Sequence, residues 1–358
     1  MKKTEMLSLS RRNVLLASGA MATLPLGMSI AQPSPGAGFT RTTTMSNAIS
    51  EAGNIPLDEK TAVAAYSNDK SYFIDSVTSR DGTRIGYRRY GSGSGLILVE
   101  AAMSTAHNYD QLAKSLADNF TVIVPDRRGR GMSPHQFGPE QCLQKEMEDL
   151  ESLFGQTGAE FLFGHSSGGV IALEATLHLP SVRKTVLYEP PFPVGSSRAS
   201  SRFRFMPRFN REVAEGEMAA AMVTANEMVG LAPPVVSILP RPLLQLLAGA
   251  ILRRDDQSHG EYAPIRTMLP AMRYDFEVVS EMQSKAENFG AVKTETLLLG
   301  GSKSPVYLKD ALRKLERLLP KSKRIEFEGL DHNGPWNGDR GGHPQIVADA
   351  ISKFLMEP

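Results

Sequence analysis

Residues Phe161 to Ile171 read FLFGHSSGGVI. A short apolar run, Phe161 to Phe163, leads into Gly164-His165-Ser166-Ser167-Gly168, and a helix-forming run follows from Val170 to Leu177. This is a G-x-S-x-G pentapeptide between a strand signal and a helix signal, the pattern of a nucleophile elbow. A serine lifted on so sharp a turn needs small neighbours two positions away on each side, because larger side chains would strike the adjoining strand and helix. Gly164 and Gly168 meet that need. Without its context the pentapeptide would be an ordinary glycine-rich turn; the flanking strand and helix favour a catalytic serine at Ser166.

Working outward, strand signals recur at Tyr72 to Thr78, Arg84 to Tyr90, Leu96 to Val99, Phe120 to Val124, Glu160 to Phe163, Lys184 to Tyr188, Thr296 to Leu299 and Arg324 to Phe327. Ser79-Arg80-Asp81-Gly82 between the first two suits a hairpin turn. The later ones are short continuous apolar runs, as expected of strands buried on both faces of a parallel sheet. Helical spacing appears at Tyr109 to Ala117, Leu143 to Phe154, Val170 to His178, Val306 to Leu319 and Pro344 to Phe354. The fold class expected is α/β, with eight strands in a mostly parallel sheet and helices on both faces. Between Pro190 and about Asn288 only Met- and Leu-rich helical pieces broken by Pro occur, which reads as a helical cap inserted after the sixth strand.

The amino terminus has a different character. Lys2 and Lys3 open a basic segment ending in Ser10-Arg11-Arg12-Asn13-Val14-Leu15-Leu16, followed by an uncharged stretch and the small-x-small pattern Ser29-Ile30-Ala31. This resembles a twin-arginine export signal, with cleavage expected after Ala31. The apolar region is short and rich in Ala, Gly and Ser, which argues against a permanent membrane span. The resemblance implies passage through the twin-arginine machinery and a periplasmic or secreted mature protein. The expected organisation is a signal over 1–31, a Ser-, Thr-, Pro- and Gly-rich flexible arm over 32–65, a core formed by 66–189 and 289–358, and the cap over 190–288.

The chain has 358 residues with 40 Lys+Arg against 39 Asp+Glu. That balance gives no electrostatic reason to expect nucleic acid as a partner. Past the arm, about 290 residues suffice for one large domain with its own core. Cys142 is the single cysteine, so no internal disulfide can form. No Cys/His cluster with zinc spacing is present, and no metal or cofactor is expected.

Several motifs in order identify the chain as similar to the α/β-hydrolase superfamily over roughly Ser71 to Leu355. Gly95 to Val124 reads like that family's third and fourth strands with the helix between. Pro125-Asp126-Arg127-Arg128-Gly129-Arg130-Gly131-Met132-Ser133 resembles its P-D-x-R-G-x-G-x-S turn, the elbow follows at Ser166, and Leu330-Asp331-His332 ends the series. The resemblance implies a serine nucleophile, Ser166, whose proton is taken by a histidine that a carboxylate orients. His332, on the loop after the last strand, is the expected base. His165 lies inside the elbow, facing away from Ser166, and His178, His107, His135, His259 and His343 have no matching context.

The acid departs from the family's usual pattern. After the seventh strand the chain reads Gly301-Ser302-Lys303-Ser304-Pro305, with Ser304 where an aspartate is usual. After the sixth it reads Tyr188-Glu189-Pro190-Pro191, and some family members carry the acid there. Adjacent strands lie about 4.8 Å apart, so a glutamate one strand over can reach the same imidazole nitrogen. Glu189 is therefore the expected acid, with Asp331 the alternative carboxylate and an unusual turn required for it to serve.

For the oxyanion, one donor is expected from the Ser167 backbone N–H at a helix amino end. The other should come from the loop after the third strand. There Glu100-Ala101-Ala102-Met103 replaces the family's His-Gly, which points to Ala102, while Glu100 is a candidate to line the substrate channel. The function implied is a hydrolase of an ester or other small acyl compound acting through a Ser-His-Glu triad and an acyl-enzyme. The cap's Met206, Met218, Met222, Met228, Met268, Met272 and Phe276 would suit an apolar small-molecule substrate, although such residues more often serve as packing. Two alternatives are a non-catalytic ligand-binding protein on the same fold and a cofactor-free haloperoxidase-like enzyme. A dehalogenase would want aspartate at position 166.

Overall fold

A computed structural model describes residues 71–135, 142–192, 203–231, 236, 238–258, 260–282 and 285–358. The export signal and the arm expected over 1–65 lie outside the described residues.

Eight strands form one sheet: β1 (Phe73–Thr78), β2 (Arg84–Tyr90), β3 (Ser94–Val99), β4 (Phe120–Pro125), β5 (Phe161–His165), β6 (Lys184–Tyr188), β7 (Glu295–Gly301) and β8 (Ser322–Phe327). Their spatial order is β1-β2-β4-β3-β5-β6-β7-β8. β1 and β2 form the expected antiparallel hairpin, and β2 also runs antiparallel to β4; every later pairing is parallel. The hairpin turn closes through Gly82 N–H to Ser79 O, with Gly82 at φ 87°, a conformation that a side chain disfavours. The central strands are buried along almost their whole length, the physical basis of their continuous apolar reading. The edge strand β8 alternates between covered and exposed residues.

Side-chain alternation divides the sheet's two faces. Ile97, Val99, Ile123, Leu162, Leu187 and Leu298 pack with α2 (Cys142–Thr157), α3 (Ser167–His178) and α9 (Val306–Leu318). Their neighbours in sequence, among them Leu96, Leu98, Val122, Phe163 and Val186, pack with α1 (Asp110–Leu116) and α10 (Pro344–Met356). α9 shows how such a helix is specified: Leu308, Ala311, Leu312 and Leu315 recur at three- and four-residue spacing and are the residues it buries.

Between β6 and β7 the described residues include α4 (Met206–Ala214), α5 (Met218–Val229), α6 (Arg241–Asp256), α7 (Ile265–Met268) and α8 (Met272–Glu281), with no strand among them. These helices share an apolar cluster containing Phe209, Met222, Met228, Met272 and Phe276, against which Met206 and Met218 pack. Packing thus claims six of the seven apolar residues weighed as a possible substrate surface. α8 joins this insertion to the main core, since its Val278 sits in the cluster beneath the sheet while Phe276 sits in the insertion's own.

Candidate active site

Strand register assembles the site. His165 pairs with Tyr188, Tyr188 with Leu299, and Gly301 with Phe327, so the loops leaving β5, β6, β7 and β8 emerge along one edge of the sheet. Ser166 occupies the turn between β5 and α3 at φ 53° and ψ −121°, partly exposed, with its N–H donating to Tyr188 O at 3.0 Å. Both flanking glycines are needed. A Cβ on Gly164 would stand 2.5 Å from Gly168 O, and one on Gly168 would stand 2.4 Å from Glu100 O.

Glu189 and His332 meet. Glu189 Oε2 accepts from His332 Nδ1 at 2.7 Å, and its other oxygen, Oε1, accepts from the Gly301 N–H at 2.7 Å. The glutamate is fully buried and its N–H donates to Leu299 O at 3.0 Å. A carboxylate at Nδ1 fixes the proton on that nitrogen and leaves Nε2 as the ring's free base. Gly300 makes room, because a Cβ there would lie 3.0 Å from Glu189 Oε1. Asp331 does not reach the ring: its Oδ1 accepts from Asn333 N–H at 2.9 Å and its carbonyl accepts from Tyr188 Oη at 2.7 Å. Ser304 is buried, and its hydroxyl has no hydrogen-bond partner among the described residues. Among the described residues no hydrogen bond joins Ser166 to His332, a contact that often tightens only with substrate bound.

Backbone strain converges on this edge. Among the described residues, the non-glycine residues with positive φ are Met103 (56°), Ser166 (53°) and Glu189 (46°). Such conformations persist only where the surroundings impose them, and they gather at functional sites.

His165, set aside in the sequence, has a structural task. Its Nε2 lies 2.8 Å from His332 O, which can only accept, so Nε2 carries the proton and Nδ1 accepts from Tyr109 Oη at 2.8 Å. Tyr109 Oη in turn accepts from Ala101 N–H at 2.9 Å and Trp336 Nε1 at 3.1 Å. Burial, then the neighbouring His332, hold the His165 ring well below the usual histidine range, in keeping with a neutral link that ties the β3 loop to the loop bearing His332.

A family model described as the alpha/beta hydrolase family matches residues 91–350, well over half of the chain. The chain belongs to this family. N-formylmaleamate deformylase from Pseudomonas putida is 33% identical over 121 residues, covering 32% of this chain and 44% of that protein. The chain spans less than half the length of the curated relatives it matches. An alpha/beta hydrolase from Sphaerobacter thermophilus superposes with a TM-score of 0.62 at 24% identity, over 77% of this chain and all, 100%, of the other. A thermophilic esterase from Thermogutta terrifontis gives 0.57 at 21%, covering 79% and 97%.

In this alpha/beta hydrolase the loop after β3 lies against the elbow helix, as the contact of Gly168 with Glu100 O requires. Ala102 is partly exposed there, and Ser167 is the first residue of α3. Glu100 does not line a channel. It is fully buried, accepts from Arg127 N–H at 2.9 Å, and burial drives its carboxyl well above the usual carboxylate range, with Arg130 opposing. Around it sits an ionic cluster that sequence reasoning missed: Arg127 reaches Glu146 Oε1 at 2.6 Å and Asp275 Oδ1 at 2.7 Å, and Arg130 reaches Asp275 Oδ2 at 2.5 Å. Asp275 comes from α8, far along the chain. Burial would raise its carboxyl, but Arg130 and Arg127 hold it below the usual range, as a charged acceptor. Arg127 and Arg130 occupy the two x positions flanking Arg128-Gly129 in the P-D-x-R-G-x-G turn, where motif matching is blind to the residue present.

Proposed function

We propose that the protein is a serine hydrolase that cleaves an ester or related small acyl compound through Ser166, His332 and Glu189. The observation that carries this reading is the buried Glu189–His332 pair at 2.7 Å, beside a serine held at φ 53° on a strand-to-helix turn. Ser166 Oγ attacks the acyl carbon while His332 Nε2 takes its proton. Glu189 stabilises the imidazolium formed, and the N–H groups of Ser167 and Ala102 receive the oxyanion. Collapse of the tetrahedral species expels the alcohol, which leaves with the proton from Nε2. Water, deprotonated by the same nitrogen, then attacks the acyl-enzyme, and the carboxylic acid departs as Ser166 regains its proton.

The insertion over 190–288 acts in this reading as the cap. A cleft is lined by Met103 of the β3 loop, by Tyr262, Ile265 and Met268 of the insertion, and by Trp336 and Arg340 after β8. Met268 is the one apolar residue of the seven named above that lines it. Neither Ser166 nor His332 is among its lining residues, and polar Thr105, Asn108 and Asp255 share it, so in this reading the cleft holds a part of the substrate away from the reacting carbonyl. A chain-length series of p-nitrophenyl esters tests the reading, with Ser166→Ala as control. Turnover greatest on short chains and lost in Ser166→Ala supports it, and equal turnover in the variant refutes it.

The twin-arginine resemblance of Ser10 to Leu16 adds export to the periplasm or beyond. Replacing Arg11 and Arg12 by lysine keeps the charge and removes the guanidinium pair, so the precursor should stay in the cytoplasm. Normal export of that variant would overturn this part.

A further inference from the structure

The peptide between Ala101 and Ala102 is trans, so its carbonyl and its N–H point in opposite directions. Whatever holds the Ala101 carbonyl therefore aims the Ala102 N–H. Two side chains hold it: Arg130 Nη1 donates to Ala101 O at 2.7 Å and Ser104 Oγ donates at 2.8 Å. Arg130 is itself buried and anchored by Asp275 Oδ2. The other oxygen, Asp275 Oδ1, accepts from Ser167 Oγ at 2.7 Å, and Arg127 Nη1 adds a bond to that hydroxyl at 3.2 Å. One carboxylate from the insertion thus ties Ser167 directly, and the Ala101–Ala102 peptide through Arg130, the two places from which the proposed mechanism draws its oxyanion donors. On the far side, Met103 is held at φ 56° with its side chain packed against the insertion's apolar cluster.

We propose that Arg130, anchored by Asp275, is a positioning residue of the oxyanion site, fixing and polarising the Ala101–Ala102 peptide so that the Ala102 N–H stays aimed at the developing negative charge. A cation on a peptide carbonyl draws electron density from the amide and makes its N–H a stronger donor. The effect matters most where charge develops, in a site shielded from water. It should therefore act on turnover and on oxyanion-like adducts, and leave ground-state binding nearly untouched. The inference rests on the serine-hydrolase reading above.

The test compares wild type, Arg130→Met and Arg130→Lys, each shown to be folded by circular dichroism. Three readouts are needed: kcat and KM on p-nitrophenyl butyrate, inhibition by 1,1,1-trifluoro-2-hexanone, and the pH at which the bound hemiketal ionises, followed by its fluorine resonance. Arg130→Met should lower kcat by at least about tenfold with KM within about twofold, since losing one oxyanion donor outright typically costs 10²–10³. It should weaken the trifluoroketone by the same factor and move hemiketal ionisation to higher pH. Arg130→Lys keeps the charge but not the two-pronged reach, and should fall between the two in all three. If Arg130→Met does not fold, Arg130→Lys alone decides through its several-fold losses. A folded variant with unchanged trifluoroketone affinity and hemiketal ionisation overturns the proposal, because a merely structural role would spare both. Failure of a fluorophosphonate to label Ser166 in the wild type would instead remove the hydrolase reading, and this inference with it.

Discussion

Glu189 Oε2 stands 2.7 Å from His332 Nδ1, while Gly301 N–H holds the other carboxylate oxygen at 2.7 Å. This carboxylate reaches the imidazole from the end of β6, the strand next to β7, after which Ser304 stands where the family resemblance would put an aspartate. Two engaged oxygens leave the carboxylate one orientation, and through it the ring has one tautomer.

Glu189→Gln keeps the shape and removes the charge that stabilises the imidazolium. Turnover should fall by roughly 10³ to 10⁴, with little change in KM, as when a triad acid becomes an amide. Asp331→Asn should cost far less, because Asp331 holds a turn at Asn333 rather than the ring. Adding Ser304→Asp to Glu189→Gln should restore part of the rate, from a buried position whose present hydroxyl has no partner among the described residues. Steady-state kinetics of the three variants decides; a silent Glu189→Gln beside a crippled Asp331→Asn would reverse the assignment.

Tyr109→Phe removes one hydroxyl that serves Ala101 N–H, Trp336 Nε1 and His165 Nδ1 together. Leaving such buried groups unpaired should destabilise the protein by on the order of 2 kcal/mol or more. Denaturant unfolding measures it. Turnover should drop as well, since the same hydroxyl links the β3 loop to the His332 loop; unchanged stability would contradict this account of the network.

Gly168→Ala would place a methyl group 2.4 Å from Glu100 O and 2.5 Å from Val99 O, both backbone atoms that cannot turn aside. The β3 loop must move off the elbow helix, and with it the Ala102 N–H. The expected outcome is a kcat lowered by about a hundredfold or more in protein that still binds substrate, by analogy with loss of one oxyanion donor. Wild-type turnover from this variant would show that the two segments need not touch.

The order of strands and helices was readable because its signals are local. β3, β4, β5 and β7 carry continuous apolar runs, such as Leu96 to Val99 and Leu297 to Leu299, because both of their faces are covered there, and α9 repeats its buried leucines at helical spacing. Element ends moved by up to three residues, where capping rather than periodicity decides. Glu189 was readable as a candidate because it follows β6, the strand beside the expected position, although carboxylates also follow β3 and β4, where Glu100 and Asp126 accept backbone N–H groups instead. Asp275 was not. Nothing in an insertion helix announces that its single aspartate will meet Ser167 and two arginines more than a hundred residues earlier in the chain, since that contact depends on how α8 packs against α3. The structural task of His165 was illegible for a related reason: it lies in Tyr109 and the His332 carbonyl, partners that only the folded chain brings within reach.

The claim on which the rest depends is that Ser166 is an activated nucleophile. Intact-protein mass spectrometry after treatment with a fluorophosphonate, followed by peptide mapping, addresses it directly. The account predicts a single adduct, located on Ser166, absent from Ser166→Ala and formed far more slowly in His332→Ala. Folded wild-type protein that takes up no label, or takes it up equally in Ser166→Ala, would contradict it.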